Sequence, residues 1–331
     1  MARSTFHFAC LAVVLPLCPI SQAFQAPGEN ALVSIVPRSR PELTSSLAGF
    51  PPPDIRVDSS LVLIPAHVTT PFGSSITTLS KRDFQIFEDG VPQSIRYFSK
   101  EDAPLSVGLL FDVSGSMRNK IRKASEAAAA FFKTSNPQDE FFLVEFSEKP
   151  KLTVPFTPDS DEICDRIAHA KPFGRTALLD AIQLALTQLK HARNPRKAIV
   201  IVSDGGDNRS RHTAREIKNA LLESDAQVYA MGIFDEDTRK DPVEERNGPR
   251  LLDELAEQSG GRHHRVDSLD DLPAISALIS DELRDQYLIG YSPTNDTRDG
   301  KFRNVRLVVE SQSDKAGLRT YYRHGYYAPA Q

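Results

Sequence analysis

Val107-Gly108-Leu109-Leu110-Phe111-Asp112-Val113-Ser114-Gly115-Ser116 is an apolar run that ends in an acid, with hydroxyls two and four positions beyond it. An apolar stretch without alternation suits a parallel strand covered on both faces. Ala198–Val202 repeats the pattern and passes through Ser203 into Asp204. Phe141–Phe146 and Val228–Ile233 are further strand candidates. Between these runs, apolar residues recur three and four apart, the spacing of a helix with one buried face. Ile121, Ala124, Ala128 and Phe131 form one set, Leu178, Ile182, Ala185 and Leu189 a second, and Ala214, Ile217 and Leu221 a third. Leu251, Leu252 and Leu255, then Leu272, Ile275, Ile279 and Leu283, continue the series. The alternation predicts a doubly wound, Rossmann-like α/β unit over residues 104–286, a mostly parallel sheet with helices on both faces.

On either side of this unit the pattern turns to short β-runs. Upstream, over residues 54–103, these are Leu61 to Val68, Phe84 to Phe87 and Ser94 to Phe98, with Asp89-Gly90 as a hairpin signal. Downstream, over residues 287–331, they are Tyr287–Tyr291, Phe302–Val309 and Leu318–Tyr327. Neither flank has enough strands to bury two sheet faces, so the two are expected to join in one small sandwich-like β-domain around the α/β core. Residues 24–53 are rich in Pro and Ser and read as a flexible linker. Arg3, the apolar stretch from Phe8 to Leu17 and the small-residue pattern Ser21-Gln22-Ala23 read as a secretory signal peptide over residues 1–23. The expected location is therefore secreted or periplasmic, with no transmembrane segment in the mature chain. Cleavage there leaves Cys164 as the only thiol, which cannot form an internal disulfide.

In an open parallel sheet, ligands bind at the carboxyl ends of the strands. If the strands ending in Asp112 and Asp204 are adjacent, about 4.8 Å apart, their carboxylates address one ion. Ser114 and Ser116 follow Asp112 at a spacing that turns further oxygens toward the same point, and Thr176, in Phe173-Gly174-Arg175-Thr176, is another source. An all-oxygen set without His or Cys suits Mg²⁺, Mn²⁺ or Ca²⁺ better than zinc. A DxSxS match alone arises by chance in about one chain in ten of this length. Its position at a buried strand end, with Thr176 and Asp204 following in order, is what gives it weight.

These residues resemble the von Willebrand factor A domain. Phe111-Asp112-Val113-Ser114-Gly115-Ser116-Met117 is similar to its metal-ion-dependent adhesion site, Thr176 to its second-loop threonine and Asp204 to its third-loop aspartate. The resemblance implies that these side chains hold a divalent cation directly or through water, and that a protein partner's Asp or Glu carboxylate completes the coordination. The flanks narrow it further. Asp83-Phe84-Gln85-Ile86-Phe87-Glu88-Asp89-Gly90, Gln286-Tyr287-Leu288-Ile289-Gly290-Tyr291 and Gly325-Tyr326-Tyr327-Ala328-Pro329 resemble segments of a family of secreted bacterial proteins carrying this domain.

The leading expectation is a binding protein and not an enzyme. A metal-dependent hydrolase needs a general base near the ion, for which Asp207 and His212 are the candidates, and the sequence has no HExxH, GxSxG or GxxxxGK[ST] pattern. A structural envelope component is the third reading. A formal net charge of −4 gives no footprint for nucleic acid. His263-His264 reads as surface histidines that diverge on a strand. Tyr321, Tyr322, Tyr326 and Tyr327 read as half-buried packing, the basic residues from Lys190 to Lys197 as capping of a helix end, and the acids between Asp235 and Glu245 as a solvated loop.

Overall fold

The computed structural model describes residues 61–100, 103–133, 135–234, 247–310 and 317–330. The leader and linker readings for residues 1–53, and the acidic run 235–246, lie outside the described residues.

Val107–Phe111 forms the middle of β5 (Leu105–Asp112), in which every residue is buried. β8 (Arg196–Ser203) and β6 (Glu140–Phe146) flank it in parallel. The six-stranded sheet runs β10-β9-β8-β5-β6-β7, with β9 at Gln227–Ile233, β10 at His263–Val266 and β7 at Pro150–Thr157. β7 alone in this sheet pairs antiparallel. Alternate residues of β5 face opposite sides, as the period of two requires. Leu105, Val107, Leu109 and Phe111 pack with α1 (Ile121–Phe132), α2 (Ser160–Ala168) and α6 (Leu272–Arg284). Leu110 packs with α3 (Leu178–Leu189), α4 (Ala214–Ser224) and α5 (Gly248–Ser259). At Gly108 on that second face, a Cβ would stand 2.3 Å from the Phe142 ring, so only glycine lets that ring lie against the strand. The α/β class expected from the sequence is the observed one.

β1 (Val62–Thr69), β2 (Phe84–Glu88), β3 (Val91–Gln93) and β4 (Ile95–Ser99) precede this sheet. β11 (Gln286–Tyr291), β12 (Phe302–Val309), β13 (Arg319–Tyr322) and β14 (Gly325–Tyr327) follow it. They interleave in two further sheets, ordered β13-β1-β11-β4 and β14-β12-β2-β3. Ile64, Val68, Phe84, Ile86, Ile289, Tyr291, Val305 and Leu307 share one core between them. Tyr287 stands there with ring centroids 5.0 Å from Phe84 and 5.7 Å from Phe98. Its hydroxyl accepts from Leu79 N at 2.9 Å and donates to Ile76 O at 2.9 Å. Asp89 and Gly90 both have positive φ, 48° and 82°, the signature of a tight hairpin turn. That turn joins β2 to the three-residue β3, and the chain then crosses to the other sheet as β4.

A buried polar seam runs along the edge strand β10 and the base of β8. Glu282 on α6, with no exposure, accepts from Arg262, and His264 Nε2 lies 3.2 Å from its second oxygen. The Arg262 guanidinium sits 4.3 Å over the Tyr321 ring of β13. Arg196 donates to Ala103 O at 3.1 Å, to Gln286 Oε1 at 3.1 Å and to Leu283 O, joining the chain leading into β5 to the chain leaving α6. The histidines therefore depart from the surface reading. They do diverge, His263 to Asp253 on α5 at 2.7 Å and His264 to Glu282, but their side chains are only 4% and 10% exposed, and His263 packs against Gly232 and lies 5.8 Å from the Phe234 ring. The basic residues after Lys190 also differ from expectation, since Arg193 binds Glu140 and Arg196 reaches into the seam. Tyr322 packs as expected, its hydroxyl accepting from Leu307 N at 3.0 Å. No helix among the described residues is long and apolar enough to cross a membrane.

Candidate metal centre

Phe111 of β5 pairs with Val202 of β8, so the two chains reach the carboxyl edge of the sheet side by side and deliver Asp112 and Asp204 there. Asp112 is fully buried. Its Oδ1 accepts from Ser114 N at 2.8 Å and its Oδ2 from Ser203 Oγ at 2.5 Å. The Ser114 and Ser116 hydroxyl oxygens lie 3.1 Å apart, Ser114 buried and Ser116 exposed at the mouth. Asp204 is 7% exposed and its Oδ1 accepts from Gly206 N at 3.3 Å. Thr176 is 4% exposed, and its hydroxyl has no hydrogen-bond partner among the described residues.

Backbone hydrogen bonds lash the loops together. Gly115 N donates to Gly174 O at 3.0 Å and Phe173 N to Val113 O at 2.8 Å, binding the first loop to the second. Asn208 N and Arg209 N both donate to Thr176 O at 3.0 Å, and Thr176 N donates to Asn208 Oδ1 at 3.1 Å, binding the second to the third. The turn after β6 joins them through Val113 N to Phe146 O and Ala177 N to Ser147 O. Gly205, at φ 74°, sits where a Cβ would meet Gly248 O at 2.7 Å, so the third loop can leave Asp204 only through glycine.

Burial, and then the charge of Asp204, push the Asp112 carboxyl well above the usual carboxylate range, although hydrogen bonds from Ser114 and Ser203 oppose the shift. No Lys, Arg or His is ion-paired with either carboxylate among the described residues. No three His, Cys, Asp or Glu side chains among the described residues are placed to hold a metal ion together, so any ligand set here is two carboxylates supplemented by hydroxyls. Two buried acids with an unmet need for positive charge and only oxygen donors around them fit a hard divalent cation. Ser203 was not singled out in the sequence, yet it positions Asp112. A serine between an apolar run and an acid carries no signal that marks it. Asp207 and His212, the candidate bases, have structural partners. Asp207 Oδ1 accepts from Leu178 N at 3.1 Å and Ser210 Oγ at 2.7 Å, while burial raises its carboxyl pKa. His212 Nδ1 lies 2.7 Å from Asp180 Oδ1.

Residues 107–206 match the family model described as the von Willebrand factor type A domain. A UPF0353 protein of Mycolicibacterium paratuberculosis is 34% identical over 113 residues, covering 30% of this chain and 34% of that protein. An uncharacterized protein of Borreliella burgdorferi is 22% identical over 186 residues, covering 50% of this chain and 54% of that protein. The chain thus spans about half and about a third of the lengths of these curated relatives. A solved structure, the von Willebrand factor type A from Catenulispora acidiphila, is 14% identical, with 73% of each chain covered and a TM-score of 0.47. The matched residues run from β5 through β8 to the loop carrying Asp204, so the von Willebrand factor type A match lies within the α/β unit and takes in Asp112, Ser114, Ser116, Thr176 and Asp204.

Proposed function

We propose that the chain is a secreted or envelope-associated binding protein that holds Mg²⁺, Mn²⁺ or Ca²⁺ among Asp112, Ser114, Ser116, Thr176 and Asp204, and uses it to bind a carboxylate of a protein partner. A von Willebrand factor type A domain points to a protein-interaction or adhesion role. The observation that carries the rest is the pair of buried acids on neighbouring strand ends with no basic partner among the described residues. A bound cation supplies the missing positive charge and a position open to one more oxygen ligand. The chain's own part is to hold Asp112 through Ser203 and Ser114 N, to fix the three loops by their backbones, and to leave Ser116 at the surface.

Asp112→Ala tests this. In EDTA the variant folds as well as the wild type or slightly better, because it loses a carboxylate that the fold keeps desolvated beside another acid. The sign follows from the raised folded pKa. The folded state favours the protonated acid, so this group's contribution to metal-free stability falls as pH rises from the ordinary carboxylate range toward neutrality, and Asp112→Ala removes that slope. Mg²⁺ at about a hundredfold excess over its Kd stabilises the wild type by about 2.7 kcal/mol, several degrees in a thermal melt. The variant shows none of this shift, while Ser116→Ala and Thr176→Ala show less than the wild type. An Asp112→Ala protein that keeps the full Mg²⁺ shift would refute the site.

A further inference from the structure

Loops 112–120, 147–149, 169–177 and 204–213 meet around the candidate metal centre, tied by the hydrogen bonds given above. Arg118, Lys149, Lys171, Arg175, Arg209 and Arg211 on these loops are all exposed, and none forms an ion pair among the described residues. Glu148, lying over Gly174, is the one exposed Asp or Glu on the same loops. Ion pairs are common on the helices of the domain, where Arg122, Lys123, Arg166, Lys218 and Arg250 each meet an acid. In a chain of net charge −4, a basic rim around two buried acids is a local reversal of sign. Beside it stands Phe173, 59% exposed, its backbone held by Val113.

We propose that this face recognises an acidic peptide segment of a protein partner and not a solitary carboxylate. One Asp or Glu enters at the centre, neighbouring acids meet the basic rim, and an apolar residue of the segment covers Phe173. The proposal rests on the reading of the centre as a cation site. A short segment senses only the rim, because charges beyond a Debye length of about 8 Å are screened at physiological salt. A long polyanion, such as a nucleic acid duplex or an anionic bilayer, also meets the acidic remainder of the molecule, and repulsion there sets it apart from a short acidic segment.

The test is fluorescence anisotropy of the full chain with labelled synthetic peptides in Mg²⁺. Glu-Asp-Leu-Asp-Glu-Gly is expected to bind about tenfold more tightly than Gly-Gly-Leu-Asp-Gly-Gly, the sum of several modest exposed charge contacts. The triple variant Arg118→Gln, Arg175→Gln, Arg209→Gln removes half of the rim and is expected to cut the preference for the acidic peptide to about threefold while keeping the Mg²⁺ thermal shift. Replacing the leucine of the acidic peptide by glycine should weaken binding to the wild type but leave Phe173→Ser unmoved. The proposal is overturned if the triple variant keeps the tenfold preference. It is equally overturned if duplex DNA or phosphatidylglycerol vesicles bind as tightly as the acidic peptide. Absence of a Mg²⁺ thermal shift in the wild type removes the cation reading by itself. The rim is then judged in EDTA, where survival of the preference for the acidic peptide supports it and loss of that preference ends it.

Discussion

Deleting residues 287–331 is expected to unfold β1 and β4 while leaving the α/β domain folded. Among the described residues β1 has only β11 and β13 as neighbouring strands, and β4 only β11, so the deletion removes the strand partners of both. What remains paired is β2 with β3, and a lone two-stranded hairpin is marginal in water. Ile64, Val68, Phe84 and Ile86 would lose Ile289, Tyr291, Val305 and Leu307 from their core. At about 1.5–3 kcal/mol for each large apolar side chain returned to water, the loss of about 6–12 kcal/mol is comparable to the 5–15 kcal/mol by which a domain is stable. The two clusters on the faces of the six-stranded sheet draw no residue from either flank, so residues 104–286 keep their own core. Hydrogen exchange reads the difference directly: the amides of 62–69 and 95–99 lose protection, and those of β5 and β8 retain it. A soluble truncate with β1 still fully protected would contradict the interleaved pairing.

Glu282→Ala is expected to cost about 3–5 kcal/mol, the price of leaving one partner of a buried ion pair alone. Arg262 keeps only part of its compensation, because the Tyr321 ring attracts the guanidinium but accepts no strong hydrogen bond, and His264 loses its acceptor. Glu282→Gln should fall between the two, since the amide keeps the shape and one acceptor while losing the charge. Urea unfolding of the three proteins measures the order. A loss below about 1 kcal/mol for Glu282→Ala would mean that water replaces the carboxylate without difficulty and that the seam contributes little.

The parts of this fold that were legible in the sequence are those in which burial on both faces leaves a uniform mark. Val107–Phe111 and Ala198–Val202 could not be amphipathic strands, and the helix from Leu178 to Leu189 begins and ends where its apolar period does. β7 was not legible, because an edge strand with Pro150 and Pro155 and alternating exposure looks like a loop. Nor was α2, whose Ser-Asp-Glu opening and two buried isoleucines make only a short signal. Placement of Asp112 and Asp204 at strand ends was readable, since each closes an apolar run. The clasp between the loops was not, being made of backbone groups that every residue carries. His263 and His264 were misread because their own neighbours in sequence are polar, and the groups that meet them come from distant elements, Asp253 of α5, Glu282 of α6, and Gly232 and Phe234 beside His263.

The bridge that Arg196 makes between Ala103 and Gln286 also bears on the order of events during synthesis. Ser99 of β4 pairs with Leu288 of β11, and the whole α/β domain lies between them in the chain. Closing a loop of about 190 residues costs an unfolded chain roughly 4–5 kcal/mol of entropy. A folded α/β domain removes most of that cost, because its two ends already meet at one guanidinium. The inner domain is therefore the part that can assemble first, and the strands outside it must wait. At about 5–20 residues per second, β1 and β4 spend about 10–40 s without their strand partners after they leave the ribosome, while β2 has only β3. For that interval Ile64, Val68, Phe84 and Ile86 face water on the growing chain, which makes residues 62–99 the stretch most open to wrong apolar contacts before the C-terminal strands arrive.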